Sequence, residues 1–327
     1  MNGEPTVDVS YFGKLPGADD FLQSAGDHRA VIAPLDRWAQ SALEMLARDA
    51  TWEQLYDRAP PLDFALLGSR RRGVVAGHLA PSMDASGRRF PFIAAISTKV
   101  PRPLEFLSRS PLAFARTWAH LEHITREARR GRNPAVQLQR LSDTPAQIHV
   151  RRESLDATFQ GLLETQTVGS LQALLDAPGR PSGVRRILIA LGVLLQPMMG
   201  TAPVGLAQGL ALPLPCDPLY RNPVSCLWLD LIAGFLARVD CELLLLRRTD
   251  EPALLTVSFG GLQGGDLRAM FDPTTLYERY VPVHDPAWAD KHVATDAGLR
   301  KLATYTDNEG LSLHTARRTF RETFLGA

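Results

Sequence analysis

The chain has 327 residues, with 36 Lys and Arg against 35 Asp and Glu for a formal charge of +1, and 45% of its residues are apolar. That length fills one large core or two modest ones, and the balance of charge gives no reason to expect nucleic acid or an anionic membrane as partner. Basic runs at 70–72, 129–130, 151–152, 185–186, 247–248 and 317–318 are short and scattered, as solvated faces are.

Three cysteines, Cys216, Cys226 and Cys241, match no disulfide framework or metal knuckle and read as reduced, mostly buried thiols of a cytosolic protein. The start MNGEPTVDVS has neither a basic segment nor an apolar run, so no signal peptide is expected. The longest apolar stretch, ILIALGVLL at 187–195, is far short of the about twenty residues that a membrane span needs. A buried helix is expected there, with no membrane insertion.

In chain order, a first strand VDVSYF leads into the turn GKLPGADDF. Leu35, Trp38, Ala39, Ala42, Leu43 and Leu46 then recur at helical spacing and predict an amphipathic helix. Thr51 with Gln54 has the form of a capping box for a short second helix, ended by Pro60 and Pro61. LDFALLG, GVVAGHLAPSM and FPFIAAIS predict three strands, the last two a hairpin around DASGRR. Ser110 as cap and Pro111 as first helical residue open a helix whose apolar face is Phe114, Trp118, Leu121, Ile124 and Ala128, with Gly131 as its stop.

Further helices are expected near 134–142, 153–164, 167–176 and 183–199, making the central block all helical. Beyond the Pro- and Gly-rich stretch 200–215, GLALPLP, a helix starting near Pro223, and the pair CELLLLRR and ALLTVSFG bring strands back. Strands at both ends with helices between predict one mixed sheet covered by helices, an α+β layer arrangement. The polar tail from Asp272 carries helical patterns at 295–303 and 312–324, to be docked or mobile.

No catalytic constellation declares itself. FGKLPGADD lacks the Lys-Ser/Thr order of a phosphate loop and adds two carboxylates that repel phosphate, and FGGLQGGD at 259–266 holds no Lys or Arg. That second turn reads as a tight turn or the start of a helix. His78, Ser82 and Asp84 are the residue types of a hydrolase triad, but on one strand His78 and Ser82 stand about 13 Å apart at ~3.3 Å per residue, far beyond the ~3 Å that a nucleophile and base need. His120 and His123 lie one helical turn apart with no acidic or cysteine cluster beside them, and read as exposed helix histidines. No catalytic residue, metal site or cofactor is therefore expected.

Four ordered motifs instead resemble the TagF/ImpM family associated with bacterial type VI secretion systems: YFGKLPGADDF, APLDRWAQSAL, APPLDFALL and LAPSMDASGRRFPF. The last carries Pro81, Ser82, Asp84, Gly87, Arg88, Phe90 and Pro91 in the family's order and spacing. The family's first motif usually has Arg and Gly before the Asp and Phe, where this chain has Ala18 and Asp19. Past residue 105 the resemblance is loose, limited to the form of SCLWL and the strand pair after it.

The resemblance implies an α/β/α sandwich with an antiparallel core sheet, longin- or profilin-like. It also implies a non-enzymatic, cytoplasmic regulator that restrains type VI secretion after translation by binding the system's forkhead-associated scaffold protein, with other secretion components as further possible partners. The corresponding division is 1–110 as the TagF-like N-terminal sandwich region, 111–200 as a helical block, 201–272 as strands and helix completing the sandwich, and 273–327 as a C-terminal extension. Two alternatives stand beside it: a structural adaptor docking secretion components through the helical block, and a hydrolase or nucleotide-binding enzyme.

Within the opening turn, Gly13 and Pro16 should turn the chain out of the strand, Phe21 should anchor it in the core, and Asp20 should accept backbone amides or pair with Arg88. Asp84, at the other end of the Arg88 loop, is the second candidate partner of that arginine. Together with Ser82, these residues form either a network that only fixes two loops or, with Lys14 and Arg89 exposed, a partner-binding surface.

Overall fold

The computed structural model describes residues 6–24, 29–131, 134–143, 145–149, 151–177, 181–200 and 206–326. Its strands are β1 (Thr6–Val7), β2 (Ser10–Gly13), β3 (Leu22–Gln23), β4 (Leu62–Gly68), β5 (Gly73–Ala80), β6 (Phe92–Lys99), β7 (Ala146–Gln147), β8 (Gly209–Pro213), β9 (Glu242–Arg248), β10 (Leu254–Ser258) and β11 (Tyr280–Pro282). Nine of them form one sheet in the order β11-β8-β10-β9-β4-β5-β6-β2-β3. Neighbours are antiparallel throughout except β11 with β8. The junction of the N-terminal and C-terminal strands falls at the middle of the sheet, where β4 pairs with β9 from Asp63↔Arg247 to Gly68↔Glu242.

The central strands are buried on both faces, which is why they read as near-continuous apolar runs. Alternation within them still divides two cores. Phe64, Leu79, Ile93, Leu244 and Leu246 face one layer, and Ala65, Leu67, Ala76, Ala94, Leu243 and Leu245 face the other.

The first layer is α1 (Arg29–Leu46), α2 (Trp52–Arg58), α11 (Gly264–Phe271) and α12 (Leu276–Arg279), which supply Leu35, Trp38, Tyr56, Met270 and Phe271 to the core. Helices α1 and α11 meet at Gly264, where a Cβ would stand 2.5 Å from the Ser41 Oγ and 2.9 Å from the Ala42 amide nitrogen. The opposite layer holds α3 (Pro103–Leu107), α4 (Ser110–Ala113), α5 (Ala115–Arg130), α6 (Ala135–Asp143), α7 (Arg152–Thr165), α8 (Val168–Leu175), α9 (Val184–Leu195), α10 (Pro218–Ala233), α13 (Ala289–Thr295), α14 (Ala297–Thr306) and α15 (Leu313–Leu325). This is a mixed α+β architecture, a large mostly antiparallel sheet between helical layers, as the order of strands and helices predicts.

Several local expectations are corrected. Thr51 makes no capping bond to α2; Asp49 Oδ1 instead accepts both its amide and its hydroxyl, each at 2.7 Å. Ser110 does not cap α5 either, because its hydroxyl donates to the Leu107 carbonyl at 2.9 Å, and a separate turn of helix, α4, precedes α5. The central block is not all helical, since β7 pairs with β1. Helix α10 begins at Pro218 behind the Asp217 cap and runs through Pro223. The tail is docked: Leu302, Phe320 and Phe324 are buried in the core.

Candidate functional site

Two loops meet at the β2 and β6 end of the sheet. Gly13 ends β2 at φ +123°, and a Cβ there would stand 2.1 Å from the Pro91 carbonyl oxygen, so only glycine lets β2 turn out against the hairpin. The β5–β6 loop is then organised by one carboxylate. Asp84 Oδ1 accepts the amides of Ser86 at 3.0 Å and Arg88 at 2.9 Å, while Oδ2 accepts Arg88 Nε at 2.7 Å and pairs with Lys14 Nζ at 3.0 Å. The loops are stitched by the Ala85 amide donating to the Ala18 carbonyl at 3.0 Å and by Arg88 donating to the Asp19 carbonyl at 2.8 Å. Burial pushes the Asp84 carboxyl up, but the Arg88 amide, the Lys14 ammonium and the Arg88 guanidinium outweigh it and hold the group down at about 2.

The geometry changes three expectations. Arg88 pairs with Asp84 rather than Asp20, which stays exposed. Lys14 and Arg89 are not free surface cations: the Lys14 side chain is 16% exposed and paired with Asp84, and Arg89 makes a two-pronged bond to Asp57 at 2.8 Å, reaches Glu53 at 3.2 Å and lies over the Trp52 ring. Phe21 packs edge-on against Phe90, with centroids 5.3 Å apart, yet remains 41% exposed rather than entering the core.

Beside this network lies a pocket of about 410 Å³, walled by Pro16, by Tyr56 and Asp57 of α2, by Ser82, Asp84 and Gly87 of the hairpin loop, and by Arg129 near the end of α5. Tyr56 holds the Ser82 backbone on both sides, its hydroxyl accepting from the Ser82 amide and donating to the Ser82 carbonyl at 2.9 Å each. The Ser82 hydroxyl itself is buried without a hydrogen-bond partner, as is Nε of Arg129. Arg129 could not have been tied to this pocket from sequence, because the packing of α5 on β5 carries it there from about forty residues away in the chain.

The residue types of a triad do not converge: His78 pairs with Asp63, Asp84 with Lys14 and Arg88, and the Ser82 hydroxyl with neither. His78 belongs to a buried row that sequence reasoning missed. Cross-strand register sets Asp63 opposite both His78 and Arg247; His78 Nδ1 lies 2.8 Å and Arg247 2.5 Å from its carboxylate, and the guanidinium stacks 4.4 Å over Trp118. Burial pushes Asp63 up, yet Arg247 and His78 hold it below the usual carboxylate range. The row fastens three strands and α5 together.

The Gly-rich turn carries its own carboxylate. Asp266, fully buried in the first turn of α11, accepts Ser258 Oγ at 2.7 Å, Tyr280 OH at 2.9 Å and Arg279 Nε at 2.7 Å, so the turn places a negative charge at the start of the helix. Among the described residues no cluster of His, Cys, Asp or Glu could hold a metal ion, and no helix is long and apolar enough to cross a membrane.

Residues 10–144 match the TagF N-terminal domain family, described as type VI secretion system-associated. Over those residues the chain is similar to that family. The matched segment runs from β2 to just past α6 and contains every residue of the Asp84 network and of the pocket. The crystal structure of PA0076 from Pseudomonas aeruginosa PAO1 is similar at 22% identity and a TM-score of 0.35, over 42% of this chain and 63% of that one. The chain thus matches less than two thirds of the length of that neighbour. No curated protein matches it.

Proposed function

We propose that this protein is a cytoplasmic, non-enzymatic regulator of the type VI secretion system, restraining it after translation by binding a forkhead-associated scaffold protein through the two stitched loops. The observation that carries the reading is the TagF match over 10–144, whose description is type VI secretion system-associated and whose span contains those loops. The chemistry of the loops agrees with it. Asp84, Lys14 and Arg88 are spent on one another and Arg89 on Asp57, which fixes a shape for recognition and leaves no base beside the Ser82 hydroxyl.

An adaptor role for the helical block as a separate docking module gains no support. Most of its apolar residues, among them Leu121, Phe159, Leu171 and Ile187, are spent in the core shared with the sheet, although Val136 stays exposed. Asp156 of α7 further ties it to the rest of the chain through Arg109, which lies 2.9 Å from Asp156 and 3.1 Å from Asp230 of α10, itself paired with Arg317 of the tail at 2.5 Å.

The test is genetic. Overproduction of the protein should lower type VI-dependent secretion, and deletion should raise it, with the levels of the secretion components unchanged. Secretion abolished by deletion would instead make the protein an assembly factor.

A further inference from the structure

The Arg129 guanidinium sets the character of the pocket. It is partly buried near the carbonyl end of α5, its Nε has no hydrogen-bond partner, and among the described residues no carboxylate pairs with it. A buried donor left without an acceptor is costly, and this one is retained on a half-buried side chain beside an open space. The Ser82 hydroxyl, in a residue only 5% exposed, is a second unused donor on the same wall. Burial also presses the guanidinium below its ordinary pKa, in line with its being desolvated and unpaired.

We propose that this pocket receives one carboxylate, the side chain of an aspartate or glutamate on a bound protein partner, with the Arg129 guanidinium as its donor. Charge decides the ligand. The wall and its direct partners hold Lys14, Arg88, Arg89 and Arg129 against Asp84, Asp57 and Glu53, four positive groups to three negative. One carboxylate closes that balance, and a planar guanidinium fork suits it. A phosphate dianion overshoots that balance and meets the Asp57 and Asp84 side chains and the negative end of the α5 dipole with about twice the charge of a carboxylate. The mouth is open at Gly87, where nothing lies within 4 Å of a built Cβ. The volume admits a whole acidic side chain rather than an ion alone.

Only the source of the carboxylate rests on the protein-binding function proposed above; the site itself does not. The experiment therefore uses a small probe. In the full chain, the Arg129 Nε–H resonance is followed by NMR during titration with N-acetylglutamate amide, and separately with N-acetylglutamine amide and inorganic phosphate at constant ionic strength. A saturating shift with the glutamate probe is expected, with binding of the other two weaker by about tenfold or more. The shift of other pocket resonances should vanish in Arg129→Gln, whose melting temperature is checked in parallel. No saturating shift, an equal response to the glutamine probe, or tighter binding of phosphate would overturn the assignment. The wild-type comparison of probes stands even if the variant does not fold. Probe binding without any capture of the scaffold would leave the pocket and remove the regulator reading; capture without probe binding would do the reverse.

Discussion

Arg88 closes on Asp84 four residues before it: the guanidinium Nε donates to Oδ2 at 2.7 Å while the amide of the same residue donates to Oδ1 at 2.9 Å. The pair is lopsided, since the Asp84 side chain is fully buried and that of Arg88 is 58% exposed. Removing the two partners should therefore differ in effect. Arg88→Ala loses a largely surface ion pair and should cost about 0.5–1 kcal/mol. Asp84→Asn leaves Lys14 and Arg88 facing an amide in place of their counter-charge, and should lower the melting temperature clearly more. Thermal melts of both variants decide it; equal losses would mean that Asp84 does not organise the loop.

The same carboxylate predicts an acid limb. Its pKa is held down at about 2 in the folded protein, against about 3.9 for an unfolded aspartate. A depressed carboxyl contributes stability that is complete above the unfolded value and is lost as pH falls through the folded one. The stability gap between wild type and Asp84→Asn should hold above about pH 4 and narrow steadily toward pH 2. Urea titrations across that range test this, and a gap independent of pH would refute it.

Two glycines with positive φ should respond very differently. At Gly13 the conformation is strained for any other residue and a Cβ would collide with the Pro91 carbonyl at 2.1 Å, so Gly13→Ala should cost about 3 kcal/mol or more. At Gly87, φ is +79° but the surrounding space is open, so Gly87→Ala should cost only the backbone penalty of about 1–2 kcal/mol. Denaturant unfolding of the two variants measures both.

Thiol reactivity should follow burial. Burial pushes the Cys226 thiol up to about 12 and the Cys241 thiol to about 11, whereas Cys216 is only partly covered. The native protein at pH 8 should react with a chromogenic disulfide at one thiol, Cys216, and release the other two only on unfolding. Rapid reaction of three thiols in the native state would contradict the packing of α10 and β9.

What the sequence disclosed follows the range of the interactions. The three strands around residues 62–99 and the docking faces of α1 and α5 are written in local periodicity, and the glycine that turns the chain at residue 13 stands in its motif. Partner choice was less legible. Asp20 and Asp84 looked alike as acceptors for Arg88, and only the closed hairpin decides for Asp84 and sends the fork's other arm to the Asp19 carbonyl. The row of Asp63, His78 and Arg247 exists only through strand register, and Arg129 reaches the pocket only through helix packing. Hydroxyl caps failed for a local reason: Thr51 and Ser110 each found a nearer backbone or carboxylate partner.

The central claim, recognition of a scaffold protein through the loops around Asp84, is tested most directly by binding of the purified full-length chain to the purified forkhead-associated scaffold of the same secretion system. Wild type should bind saturably, and Arg88→Ala, folded by thermal melt, should bind at least about tenfold more weakly. Absence of binding by wild type, or undiminished binding by the folded variant, would contradict the account.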